Sequence, residues 1–226
     1  MSIDPSSIVY FEIGFVHITA TLVFTWITML VLTLFCAIST RNLRKKAELR
    51  PSQHLLEAIM EVSKSQIREI AQQDPEPFLP FVATLFLFIF SANVFSVIPG
   101  FIAPTGSLNT TIALALCVFF AVPFFGISSK GILDYLKQYA KPSPIMLPFN
   151  IISEFSRTLS LAIRLYGNVM SSTIIIAILL GVIPLIFPVV IQLLGLLTGV
   201  IQAYIFAILA IVYISSVIQH KEKKAK

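Results

Sequence analysis

Acidic residues are almost missing from the long apolar stretches of this chain: of its 11 Asp and Glu, only Glu154 falls inside one. A membrane cation carrier normally keeps its own carboxylate on the ion path, so the exchanging carboxylate is expected to belong to a partner. Charge of either sign is scarce, 12% of 226 residues against 57% hydrophobic, and the mean hydropathy is +0.90. Such a composition lies outside that of soluble domains and leaves no room for a soluble enzyme. The two cysteines, Cys36 and Cys117, sit within apolar runs and imply no disulfide framework. His17, His54 and His220 are scattered, so no metal site is expected, and no cofactor. HExxH, GxSxG and paired membrane aspartates are lacking, which removes the residues an intramembrane enzyme needs.

What is abundant is apolar sequence in long runs. A span needs about 20 apolar residues, so the chain has room for about five crossings. The expected fold is an all-α integral membrane protein with about five membrane-embedded helical segments in one domain. Their expected bounds are 13–38, 78–98, 108–127, 147–180 and 183–218. The last two exceed the thickness of a bilayer and must tilt, curve or project. The first is too long, and lacks the basic leader, for a cleaved signal peptide. Pro123 interrupts the third, which membrane helices tolerate when neighbours satisfy the freed carbonyl.

Basic residues fall on one side of this map. Seven lie from Arg41 to Arg68, three are Lys130, Lys137 and Lys141, and four lie from Lys221 to Lys226, while the opposite segments carry none. The positive-inside rule then puts the N-terminus outside and the C-terminus in the cytoplasm. The net charge of +5 is thus a topology signal, and no nucleic-acid partner is implied. Between the first two spans, residues 52–73 carry Leu55, Leu56, Ile59, Met60, Ile67 and Ile70 at helical spacing, with Glu57, Glu61, Lys64 and Arg68 between them. This predicts a cytoplasmic-side amphipathic helix, lying on the membrane or packed against a partner.

The fourth run departs from apolar composition in a regular way. Asn150, Glu154, Arg157, Ser160 or Leu161, Arg164, Asn168 and Ser171 or Ser172 recur every three or four residues, a polar line down one helix. An Arg at the bilayer centre costs about 2.5–3.5 kcal/mol on insertion scales. Arg157 can snorkel to the headgroups or pair with Glu154. Arg164 lies about 21 Å further along from Asn150, with no acid one turn away, so its partner must come from another span, water or another subunit. A bend that offers carbonyls to Arg164 is the purely structural alternative. On the last run Gln192, Gly195, Gly199 and Gln202 form a complementary face, the glycines permitting close approach and the amides hydrogen bonding. Antiparallel packing brings Arg164 and Gln202 to similar depth; a lone membrane Gln also serves simply as glue between helices.

The segments SEFSRTLSLAIRLYGNVMSS and LGLLTGVIQAYIFAILAIVYIS, with SANVFSVIPG and PTGSLNTTIALAL before them, resemble subunit a of F-type ATP synthases of bacterial or plastid kind. The resemblance runs from about Pro77 to the C-terminus. It implies two long, tilted helices packed against a rotating ring of c subunits with buried carboxylates. Two offset aqueous half-channels would serve the ring, and Arg164, facing Gln202, would block ion leakage between them. Further implied partners are b-type peripheral-stalk subunits and the remainder of the synthase, in lipid. The location implied is a bacterial plasma membrane in preference to a thylakoid, and the role is ion translocation, without catalysis by this chain. Many relatives hold a carboxylate where this chain has Thr173, and others an acid or His near Gly195, which supplies no substitute. The outer path is then expected to use Ser172, Thr173, Asn168, Gln192, Asn109 and Asn93, with Glu154 and Arg157 bordering the inner one and Ser160 a further ion-translocation candidate on the same polar line. A hydroxyl and amide path suits Na⁺ as well as H⁺; H⁺ is the commoner ion of the family. The runner-up reading is a self-contained secondary transporter, which would need a midplane substrate site and usually broken paired helices.

Overall fold

The computed structural model describes residues 9–13, 16–40, 51–71, 76–98, 100–133, 135, 145–182 and 187–218. The Lys and Arg of 41–50, Lys137, Lys141 and Lys221–Lys226 lie outside these, as does the segment 183–186. The protein is an all-α membrane protein. Its helices are α1 (Ala20–Thr40), α2 (Pro51–Ala71), α3 (Leu79–Phe95), α4 (Leu108–Lys130), α5 (Met146–Val182) and α6 (Phe187–Ile218). Four of them are long and apolar enough to cross a membrane, and the seventeen-residue α3 is a shorter apolar helix.

The N-terminal end differs from expectation. A short antiparallel hairpin, β1 (Val9–Ile13) with β2 (Val16–Thr19), precedes the helices, so α1 begins at Ala20 rather than near Ile13. Both strands are rich in β-branched and aromatic residues, which favour a pleated pairing. Within α1 the hydroxyls of Thr25, Thr28 and Thr33 each donate to the carbonyl four residues back, which hides them from lipid.

Helix α4 runs through Pro123 without ending and stops at Gly131, whose φ of 84° suits glycine and whose N–H reaches the Ile127 carbonyl at 2.8 Å. Gly126 is where α4 meets α6: a Cβ there would stand 2.6 Å from Val217 Cγ1. The core lies along α3, α4 and α6. One part joins Leu85, Phe88 and Ile89 of α3 and Ala115 and Val118 of α4 to Leu161, Ala162 and Leu165 of α5, around the fully buried Phe206. The other gathers Phe78, Leu79, Val82, Tyr135, Ile211, Ile214 and Val217, and takes in Ile67 of α2. Helix α2 is therefore packed against α3 and α6 by its apolar face, while Glu57, Glu61, Lys64 and Arg68 stay exposed.

Helix α5 is 37 residues long and α6 is 32, about 56 and 48 Å at about 1.5 Å per residue, against a hydrocarbon core of about 30 Å. Only one side of α5 is covered, at Thr158, Leu161, Ala162 and Leu165, a spacing of three, one and three that defines a narrow stripe.

Candidate functional site

Two contacts fix how α5 and α6 lie against each other. A Cβ placed on Gly195 would stand 3.1 Å from both Cβ and Oγ of Ser172, and the Arg157 guanidinium lies 5.7 Å from the centre of the Tyr213 ring. The partners run in opposite order along the two helices, so the pair is antiparallel. Eight residues from Ser172 toward the N-terminus, matched by eight from Gly195 toward the C-terminus, bring Arg164 opposite Ala203. Seven residues counted inward from the Arg157–Tyr213 contact bring it opposite Phe206. Gln202 is thus within one turn of the level of Arg164.

The two residues differ in exposure. Arg164 projects from the uncovered flank of α5, on the face that also carries Arg157, Ser160, Gly167 and Ser171, all exposed. Small residues on both sides of a membrane Arg let another helix approach closely. Gln202 is buried, and its Nε2 has no hydrogen-bond partner among the described residues. A buried amide left unpaired costs about 1–3 kcal/mol, which disfavours a role as glue inside this subunit alone. Arg157 stacks on Tyr213 in a cation–π contact, and the half-buried Glu154 offers its backbone carbonyl to Thr158 Oγ1 at 3.0 Å.

On the far side of the Ser172–Gly195 contact from Arg164 lies a cavity of about 360 Å³ between α3, α5, α6 and the turn before α4. Asn93, Ser96, Ser172, Thr173 and Gln192 supply its polar lining, and among the described residues no acid, His or Cys lines it. Gln192 Nε2 donates to the carbonyls of Ser96 at 3.2 Å and Val97 at 3.4 Å, beyond the last turn of α3. Asn93 Nδ2 donates to the Gly199 carbonyl at 2.9 Å. Ser172 Oγ donates to the Asn168 carbonyl at 3.1 Å and Thr173 Oγ1 to that of Val169 at 3.0 Å. Ser96 Oγ donates to the Asn93 carbonyl at 2.6 Å.

Four of the six residues expected on the outer path therefore share one cavity: Asn93, Ser172, Thr173 and Gln192. Two do not. Asn168, half-buried, is not in the lining, because it lies on the Arg164 flank of α5 and the cavity opens beside Ser172 and Thr173. Asn109 is exposed on the first turn of α4, and the residues of the preceding loop that reach the cavity are Phe101, Ile102, Ala103 and Gly106. Gln192 also acts as a strut between α6 and the end of α3, a use that its spacing alone did not reveal. Ser96 was not anticipated; it lies three residues after Asn93 on the same helix side, which was the available signal.

The profile of a family described as ATP synthase A chain matches residues 22–215. ATP synthase subunit a 2 of Picosynechococcus sp. is 55% identical, covering 99% of this chain and 96% of that protein. ATP synthase subunit a of Albidiferax ferrireducens is 51% identical over 99% of this chain and 97% of its own. ATP synthase subunit a 1 of Chlorobaculum parvum is 51% identical over 99% of each. With a membrane-embedded helical body, an Arg and a Gln level on adjacent long helices, and relatives matched nearly end to end, the chain belongs to the ATP synthase A chain family, membrane-sector subunits of the F-type ATP synthase.

Proposed function

We propose that this subunit carries ions to and from the carboxylates of a rotating c-ring through two offset half-channels, with Arg164 as the charge that prevents leakage between them. The observation that carries the reading is the pairing of an exposed Arg164 on α5 with a buried Gln202, level on α6, beside a cavity with a polar lining. A fixed guanidinium favours the ionised form of a carboxylate passing it and repels a free cation, so ions cross by riding the ring. Ring and b-type stalk would hold the subunit from two sides, the first along the uncovered flank of α5. The cavity is the outer half-channel, and Glu154 and Arg157 border the inner one. The subunit performs no catalysis itself. It sits in a bacterial plasma membrane with its N-terminus outside and C-terminus in the cytoplasm, as the basic segments dictate.

The ion is H⁺ by family frequency. The neutral lining of the cavity favours testing Na⁺ beside it, since a hard cation takes oxygen ligands readily. The decisive experiment is ion-driven ATP synthesis by the complete enzyme in vesicles, across pH and Na⁺. Arg164→Ala should leave the complex assembled and abolish synthesis. Normal coupled synthesis by that variant would overturn the reading.

A further inference from the structure

The contact between Asn93 and Gly199 is not explained by an ion path. Asn93 is buried on α3, and its Nδ2 bonds the backbone carbonyl of Gly199, inside α6. Its Oδ1 accepts from Thr105 Oγ1 at 3.3 Å, and Thr105 is itself fully buried in the 3₁₀ turn Pro104–Gly106. Gly199 leaves a notch that the amide fills: a Cβ there would stand 2.9 Å from Asn93 Cγ and 3.1 Å from Nδ2. Any other residue at 199 would therefore expel the Asn93 side chain or push α6 away.

The position of this contact matters. Gly199 lies one turn from Gln202 on the same side of α6, and the lining of the cavity reaches Gly195 and Leu196 but not Gly199 or Gln202. The filled notch therefore stands between the cavity and the Arg164–Gln202 level. The Gln192 strut restrains the other end of the same stretch, two turns away, and it grips carbonyls beyond the α3 terminus, whereas the Asn93 contact lies one turn from Gln202.

We infer that Asn93, braced by Thr105 and seated in the Gly199 notch, is a positioning residue that sets the height and rotation of α6 so that Gln202 meets Arg164. This rests on the function proposed above. It differs from a role as ion ligand, which would act on affinity for the driving ion, and from a role as gate, whose removal would raise passive conductance.

The test uses the complete synthase in vesicles, measuring maximal ion-driven synthesis, half-saturating ion concentration and passive leak. Asn93→Ala, Gly199→Ala, their double variant and Thr105→Val are compared, with Arg164→Ala as reference. All should assemble. Gly199→Ala should lower the maximal rate about tenfold, within the range for a sub-ångström to ångström displacement of a working group. Asn93→Ala, which also removes an amide from the cavity lining, should lower it less and Thr105→Val less again; Gly199→Ala and Thr105→Val, neither of which touches the lining, should leave half-saturation and leak unchanged. The double variant should outperform Gly199→Ala alone, because the emptied notch accepts the new methyl. Strict additivity would overturn the inference, as would failure of Asn93→Ala to assemble, a shifted half-saturation at unchanged maximum, or a raised leak. Coupled synthesis by Arg164→Ala would instead overturn the functional reading beneath it.

Discussion

Replacing Thr173 with Glu places a titrating group in a cavity that has none. Thr173 is exposed on α5, its hydroxyl turned to the Val169 carbonyl, and the cavity of about 360 Å³ holds roughly ten waters at about 30 Å³ each, so a larger side chain fits by displacing water. The new carboxylate would stand nine residues from Arg164, about 13 Å along the helix at about 1.5 Å per residue. At an effective dielectric of about 20, Arg164 then stabilises the ionised form by about 1 kcal/mol, just under one pH unit. Partial desolvation acts the other way, so the carboxyl should titrate within about one unit of its usual value near 4.3. Above that pH the ionised group attracts a cation about 4 Å away by about 1 kcal/mol in a water-filled lumen, a gain of about fivefold in local occupancy. The advantage is present when the carboxylate is charged and is lost as pH falls through its midpoint. The assay is synthesis in vesicles at fixed membrane potential, outside pH varied from about 3 to 8, taken as the ratio of variant to parent rate at each pH so that the ion's own pH effect cancels. A ratio flat across the window would refute the assignment of this cavity to the outer path.

Arg164→Lys should also fail to synthesise ATP, because an ammonium differs from the guanidinium in reach and hydration; a coupled enzyme carrying it would contradict the role given to the planar group. Gln192→Leu should slow outside ion access more than Asn168→Leu, since only Gln192 lines the cavity, and the reverse order in initial-rate measurements would move the path to the other flank of α5. Phe206→Ala removes the fully buried ring around which α3, α4 and α5 pack and should destabilise the subunit by on the order of 3 kcal/mol, read as a lower midpoint of thermal unfolding of the detergent-solubilised complex. Ile67→Asp should detach α2 from α3 and α6 and expose it to protease, whereas Arg68→Asp, on the exposed side, should not; equal cleavage of both would show that α2 is not held by its apolar face.

The helical body was legible because lipid forces it: runs of about twenty apolar residues have few alternatives to helix once every backbone group must be bonded internally. The level of Arg164 with Gln202 was legible for a related reason, since an antiparallel pair joined by a short connection leaves little freedom of register. The hairpin before α1 was not, because Ile13 to Thr19 is as apolar as the helix that follows, and hydropathy does not separate a β-branched strand from a span. Asn168 and Asn109 fall outside the cavity lining for a geometric reason. Spacing places a residue on a helix face, but which neighbour covers that face depends on tertiary packing. Likewise the bond of Thr105 to Asn93 spans 12 residues and two elements, which no local spacing displays.

The lining of the cavity has a further chemical meaning. All five of its polar side chains give hydrogens to backbone carbonyls: Asn93 to Gly199, Ser96 to Asn93, Ser172 to Asn168, Thr173 to Val169 and Gln192 to Ser96. Each hydroxyl has only one proton to give, which leaves it lone pairs, Asn93 keeps a single further N–H, and Gln192 gives its Nε2 to two carbonyls. The helix backbones thus act as a sink for donors. As the outer half-channel proposed above, a cavity with no fixed negative charge among its described lining residues would gain a sign preference by this means: a cation shedding water would meet oxygen dipoles, while chloride or phosphate would find few donors to replace its hydration. Selection against anions would then be a property of how the hydroxyls are tethered, independent of any titrating group in that lining.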